Sequence, residues 1–233
     1  MRVRVTWLRW DRRTEAPAPL LDVLDGDERA RVERFAVASA ARELVVGRAL
    51  LRTVVAGETG VNPRDVRFKY GAGGRPEVAW PDGAPSVNLT HCAGLVAVAV
   101  CQEVVGVDAE RVAERHPGIA RRFFHPDEQA WVEAGAADTR WRRFAAVWTL
   151  KEAVVKAHGS GLGVPLPSFA VAGPEGPLAR TTVEGTWSLA LRWPTEEHAL
   201  AIAVRGDQAP EVDVVQVTLP LLVQGTTRPP WCG

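Results

Sequence analysis

Residues 95–101, LVAVAVC, and 104–110, VVGVDAE, form two apolar runs joined by Gln102 and Glu103. Runs of this length, rich in β-branched residues, read as buried strands around a tight turn. They belong in an interior that the rest of the chain must cover. The second run ends in two carboxylates, Asp108 and Glu110. A strand period of two puts both on one face, with Ala109 opposite.

The chain has 233 residues, enough for one large domain or two small ones with a real core. Residues 2–10, RVRVTWLRW, alternate as a strand with Val3, Val5 and Trp7 on one side. Asp27 is placed to cap a short helix through Phe35, and Ser39 a longer one that closes near Gly57. Leu44, Leu51, Val54 and Val55 form its apolar face, and Arg48 and Arg52 share a neighbouring stripe. Residues 71–85, rich in Gly and Pro, read as loop, and Ser86–Thr90 as a short strand. Residues 118–134 read as helical with a new start near Pro126, and 141–158 as one helix stopped by GSGLGVP. WSLALRW and ALAIAV flank the turn PTEE as a hairpin, and VDVVQVTL is a last strand. The sequence predicts two intimately packed halves, 1–105 and 106–219, and a loose tail over 220–233.

Formal net charge is +0, so nothing pulls the whole chain toward nucleic acid or an anionic membrane. Residues 1–75 carry fifteen Lys+Arg against ten Asp+Glu, a locally basic stretch able to hold an anionic ligand. Three cysteines with no CxxC argue against a disulfide framework and for a reducing compartment. The N-terminus lacks the apolar region of a signal peptide, and no apolar run reaches the ~18 residues of a membrane span. A cytoplasmic location is expected. Arginine outnumbers lysine twenty-five to three, which draws attention to Lys151 and Lys156, five residues apart.

Asp108 and Glu110 repel each other unless a cation sits between them. Oxygen ligands without His or Cys suit Mg²⁺, or Mn²⁺, rather than zinc. A solvated strand end with Glu110 paired to Arg111 fits the same residues. In WTLKEAVVKAHGSGL, Trp148, Glu152 and Lys156 lie four apart on one helix stripe. Glu before Lys at that spacing also suits a surface ion pair, and Trp148 reads as core. In SVNLTH, a hydroxyl, an imidazole and a strand end before Gly94 could bind phosphate or open a polar turn. KYGAGGRP is a glycine-rich loop with Arg75 behind it, and matches neither a Walker loop nor a dinucleotide fingerprint.

In order, KYGAGGRP, SVNLTH, GVDAER, FFHPDE and WTLKEAVVKAHGSGL with VPLPSFAV resemble the 4′-phosphopantetheinyl transferases of the surfactin-synthetase-activating type. The resemblance runs from about residue 28 to 171. It implies an α/β fold of two similar α+β halves about a pseudo-twofold axis, with the active site between them. It implies coenzyme A as substrate, bound Mg²⁺, and transfer of 4′-phosphopantetheine to a serine of an acyl or peptidyl carrier protein. Asp108, Glu110 and Glu152 match the family's metal-binding triad. Lys156 matches its catalytic lysine, beside Glu152 and Asp108, and Lys151 the other lysine of that motif. Asn88, Thr90 and His91, with Arg31, Arg48, Arg52, Arg75, Lys151 and Lys156, make the expected coenzyme A-binding set. Arg75 stands where the family has lysine, and Thr90 where it has serine. Arg111, Arg115, Arg121 and Arg122 are candidates for docking an acidic carrier. A monomer is expected, with no nucleic-acid or membrane partner. Two other readings use the same residues: a Mg²⁺-dependent nuclease, which usually places Glu and Lys two apart on a strand, and a carrier-binding scaffold without activity.

Overall fold

The computed structural model describes residues 1–71, 74–159 and 163–226. Parts of two expected loops, 72–73 and 160–162, and residues 227–233 of the expected tail lie outside the described residues.

The first half opens with strand β1 (Arg2–Trp10), a 3-10 turn (Ala18–Val23) and helix α1 (Gly26–Glu33). Helix α2 (Ala38–Thr59) follows, then the hairpin β2 (Arg67–Tyr70) and β3 (Pro76–Trp80) and the hairpin β4 (Ser86–Cys92) and β5 (Gly94–Cys101). The second half opens with β6 (Val105–Arg111), then α3 (Pro117–Phe123), α4 (Pro126–Glu133) and α5 (Ala137–His158). A two-residue pair, β7 (Ala172–Gly173) and β8 (Gly176–Pro177), precedes the hairpin β9 (Trp187–Thr195) and β10 (His198–Arg205). The chain ends with β11 (Glu211–Val217) and α6 (Leu219–Gly225).

Each half is a strand, a long helix and a hairpin, joined in the same way. β1 pairs antiparallel with β5, whose other edge takes β4; β6 pairs antiparallel with β10, whose other edge takes β9. Three apolar clusters follow. α2 packs Val46, Leu50 and Val54 on the outer face of the first sheet, against Leu8, Val96 and Val98. α5 packs Val147, Leu150 and Val154 on the second, against Ala201 and Ala203. Between the sheets, Val3, Val5 and Trp7 meet Val105, Val107, Leu200 and Ile202. Leu50 and Leu150 are buried, so truncating either to Ala costs about 2–5 kcal/mol.

Several boundaries move from the sequence reading. Asp25, not Asp27, caps α1: its carboxylate accepts from Glu28 N–H, and Glu28 reciprocates at the Asp25 amide. α2 starts at Ala38 with no side-chain cap and runs past Gly57 to Gly60, whose φ of 75° forms a left-handed C-cap. Residues 76–80 of the expected loop are strand, because they pair with β2. The second half does not run unbroken to 219. β11 returns to the first sheet and pairs parallel with β1, and α6 follows it, burying Leu222 in the first core. Residues 220–225, expected loose, are therefore helix. Among the described residues no helix is long and apolar enough to cross a membrane.

Candidate active site

β6 carries the two carboxylates into the seam between the halves. Gly106 lets it approach α5 closely: a Cβ there would lie 2.2 Å from Ala153 O and 2.4 Å from Ala157 N. A side chain at 106 would push strand and helix apart. With that contact made, Asp108 on β6, Thr90 on β4 and Lys156 on α5 come together. Lys156 Nζ donates to Asp108 Oδ1 at 2.6 Å and to Thr90 Oγ1 at 3.1 Å. The Thr90 hydroxyl donates to Asp108 Oδ1 at 3.1 Å and accepts from Ala109 N–H at 3.2 Å. Its one proton and two lone pairs are all used.

Glu110, two residues along the same face, takes Arg115 at 3.1 Å rather than Arg111, which goes to Glu197. Glu152 lies one turn before Lys156. Burial first, then the neighbouring Asp108, pushes the Glu152 carboxyl up from its ordinary value, and the same two causes act on Glu110. The Cys92 thiol is pushed up to about 12, by burial and then by Glu110 and Asp108, so it stays protonated and inert. Asp108 thus raises the cost of ionising both Glu110 and Glu152.

Among the described residues, no group of three or more His, Cys, Asp or Glu side chains is arranged to hold a metal ion. The donor chemistry nevertheless fits one. Asp108 Oδ2 is buried and has no hydrogen-bond partner, and its neighbours are carboxylates whose mutual repulsion a hard divalent cation would relieve.

The expected coenzyme residues divide into two groups. Thr90 and Lys156 are in the cluster. His91 sits at its rim, half exposed, with Nδ1 3.2 Å from Glu43 Oε1 of α2. Arg48 is buried with its Nε 3.7 Å from Glu28 Oε1, an ion pair too long for a hydrogen bond, so Nε and Nη1 make none; its guanidinium lies 5.2 Å from the Tyr70 ring centre. Donors without a hydrogen bond on a buried cation suit an incoming phosphate. Arg31 is exposed on α1, at its last turn.

The others are committed elsewhere. Arg52 is fully buried and spends its donors on Asp25, Glu28 and the carbonyls of Pro63 and Val66. Lys151 is fully buried on Glu128 at 2.7 Å and on the carbonyls of Leu166 and Phe169. Arg75 reaches the carbonyls of Lys156 (2.6 Å), Ala157 (3.2 Å) and Val105 (2.8 Å), so it caps the end of α5 and ties its loop to the second half. Burial lowers its affinity for the proton. Asn88 is buried with Oδ1 on Val107 N–H at 2.9 Å. These four, expected to meet coenzyme A, make contacts that tie the frame together. Arg75 still borders a cavity of about 510 Å³ that runs along the seam past Pro85, Val87 and His158.

The sequence reading missed the partners: Glu43 for His91, Arg115 for Glu110 and Glu128 for Lys151. None carries a spacing signal, because each comes from a separate element. It also missed that Ser86, Asn88 and Thr90 act as a set, although their period of two was in view.

Family models match both halves: "4′-phosphopantetheinyl transferase, N-terminal" over residues 8–103 and "4′-phosphopantetheinyl transferase superfamily" over residues 104–203. The chain is 31% identical over 192 residues to 4′-phosphopantetheinyl transferase HetI of Nostoc, covering 80% of this chain and 81% of that one. It is 30% identical over 153 residues to a 4′-phosphopantetheinyl transferase of Bacillus subtilis, covering 65% and 67%. It is 32% identical over 215 residues to a phosphopantetheinyl transferase of Thraustochytrium, covering 81% and 74%.

Proposed function

The chain belongs to the 4′-phosphopantetheinyl transferase superfamily, and from that premise we propose that it transfers 4′-phosphopantetheine from coenzyme A to a serine of a carrier protein. The observation that carries the reading is the meeting of Asp108, Thr90 and Lys156 at the seam, with Glu110 and Glu152 beside them.

The serine Oγ forms a bond to the β-phosphorus of coenzyme A, and the bridging P–O bond of the pyrophosphate breaks. Adenosine 3′,5′-bisphosphate leaves with that electron pair, and the serine proton must go to a base. Asp108, Glu110 and Glu152 would hold Mg²⁺ or Mn²⁺. Such an ion, when bound, neutralises charge on the pyrophosphate. Glu152 is the base. Burial and Asp108 raise its carboxyl, which makes its ionised form a better proton acceptor near neutral pH. Lys156 holds Asp108 in place and offers its ammonium to the departing phosphate. Arg48, with buried donors that make no hydrogen bond, binds a further phosphate of coenzyme A, and His91 presents its free ring edge to the pyrophosphate.

The carrier approaches from the side of α3, where Arg121 and Arg122 are exposed while Arg111 and Arg115 are already paired. The free thiols Cys92 and Cys101 support a cytoplasmic enzyme. A monomer with no nucleic-acid or membrane partner remains the reading.

The test is intact-protein mass spectrometry of an apo carrier protein incubated with coenzyme A, Mg²⁺ and this protein. A gain of about 340 Da on the carrier, lost on omitting coenzyme A, is expected; an unchanged mass with every carrier type overturns the reading.

A further inference from the structure

β6 has two edges, and only one is in a sheet. On the β10 side it pairs through the backbone. On the β4 side the amides of Val105, Val107 and Ala109 donate to Ser86 Oγ at 3.3 Å, Asn88 Oδ1 at 2.9 Å and Thr90 Oγ1 at 3.2 Å. Three alternate side chains of one strand serve three alternate amides of the other. A bare strand edge is a row of unpaired donors, and leaving such donors buried and unmade is costly. Here side chains take the place of backbone carbonyls.

The stitch also sets a register. A slip of one residue would turn Asp108 from the α5 side into the apolar layer between the sheets. The middle link is the shortest and joins two buried residues, and its donor, Val107, directly precedes Asp108.

We propose that Asn88 is a positioning residue of the transfer centre: through its buried link to Val107 it fixes β6 against β4 and so holds Asp108 between Thr90 and Lys156. This rests on the transfer reading above. It also moves Asn88 from the coenzyme-binding set to the frame that places a carboxylate.

The matched pair Asn88→Thr and Asn88→Val tests it, since the two side chains share a shape and differ in one acceptor oxygen. Two readouts are taken: hydrogen exchange of the Val107 amide in the free protein, and kcat and KM for coenzyme A in transfer to the carrier. Losing one hydrogen bond should speed Val107 exchange by about tenfold in Asn88→Val, while Ala97 in the first sheet is unmoved. The same variant should lose about tenfold in kcat with KM for coenzyme A unchanged, and Asn88→Thr should restore both readouts to near wild type. Should Asn88→Val fail to fold, Asn88→Ala takes its place. Equal exchange and equal kcat in the pair overturn the proposal. A raised KM for coenzyme A at unchanged kcat in both variants also overturns it and returns Asn88 to the ligand. If the wild type transfers nothing, the transfer reading has failed, and exchange alone then decides the stitch.

Discussion

α2 and α5 are each 22 residues long and each ends on a left-handed glycine, Gly60 or Gly159. Aligned on those glycines, Arg52 stands opposite Lys151. Both cations are fully buried, and both bind a glutamate at the third position of a short capped helix, Glu28 of α1 or Glu128 of α4, at 2.7 Å. Each also lies over a phenylalanine, Phe68 at 5.3 Å or Phe169 at 4.3 Å. The two halves thus carry the same latch, built once with guanidinium and once with ammonium. In the same alignment Thr53 and Gly57 stand opposite Glu152 and Lys156. What the halves share is frame; where they differ, the second half bears the carboxylate and the ammonium proposed for the chemistry.

The largest expected effect lies at that difference. Glu152→Gln removes the proposed base and should lower kcat by about 10²–10⁴, whereas Thr53→Val, at the matching site of α2, should leave transfer rates near wild type. The buried Thr53 hydroxyl has no partner, so that change also costs little stability. Carrier mass analysis over time measures both. Full turnover in Glu152→Gln with metal bound would remove Glu152 as base.

Next come the latches. Removing one partner of a buried ion pair strands the other, so Lys151→Met and Arg52→Met should each destabilise by about 3–5 kcal/mol in urea titration. Lys151→Met with Glu128→Gln should recover part of the loss. A Lys151→Met protein of normal stability that no longer binds coenzyme A would break the comparison and make Lys151 a ligand.

A third effect separates stability from activity. Glu110 and Glu152 have folded values raised above their unfolded ones. Their contribution to stability is therefore fully present below the unfolded value and lost as pH rises through the folded one. Without divalent cation, melting temperature should rise as pH falls through that window, and Glu152→Gln should flatten the rise. Transfer should move the opposite way over the same window, because the carboxylates must be ionised to hold a cation. Melting curves and rates across pH check the two signs together.

The smallest effect tests an addition to the second half. α3 stands where the first half has only the 3-10 turn Ala18–Val23. Reversing charge at Arg121 and Arg122 should slow carrier association by a few fold and reduce its salt dependence, with little change in coenzyme A affinity. Unchanged carrier kinetics at low and high salt would move the dock elsewhere.

The seam carboxylates were legible because they are sequence-local. Asp108 and Glu110 follow from strand alternation, and Glu152 and Lys156 from helix spacing. Lys151 was not: it sits beside Glu152 in sequence, yet five residues from Lys156 is about 140° around a helix, so the two lysines face different surroundings. Arg52 shares a stripe with Arg48, but only the fold shows that Asp25 and Glu28 hydrogen-bond the first, while the second has only a longer 3.7 Å ion pair to Glu28. That Asn88 is buried and accepts from Val107 N–H was not legible either, because β6 is a separate segment.

By itself, the order of apolar and charged residues determined the two strand–helix–hairpin units and which face of β6 and α5 carries acid and ammonium, since periods of two and 3.6 are properties of the local backbone. Tertiary structure alone decided which cations are free to meet a ligand and which are locked, that β11 returns to the first sheet, and that β4 stitches β6 by its side chains. Those outcomes depend on partners brought from distant segments, and a hydrogen bond is made or withheld by distances that sequence spacing does not contain.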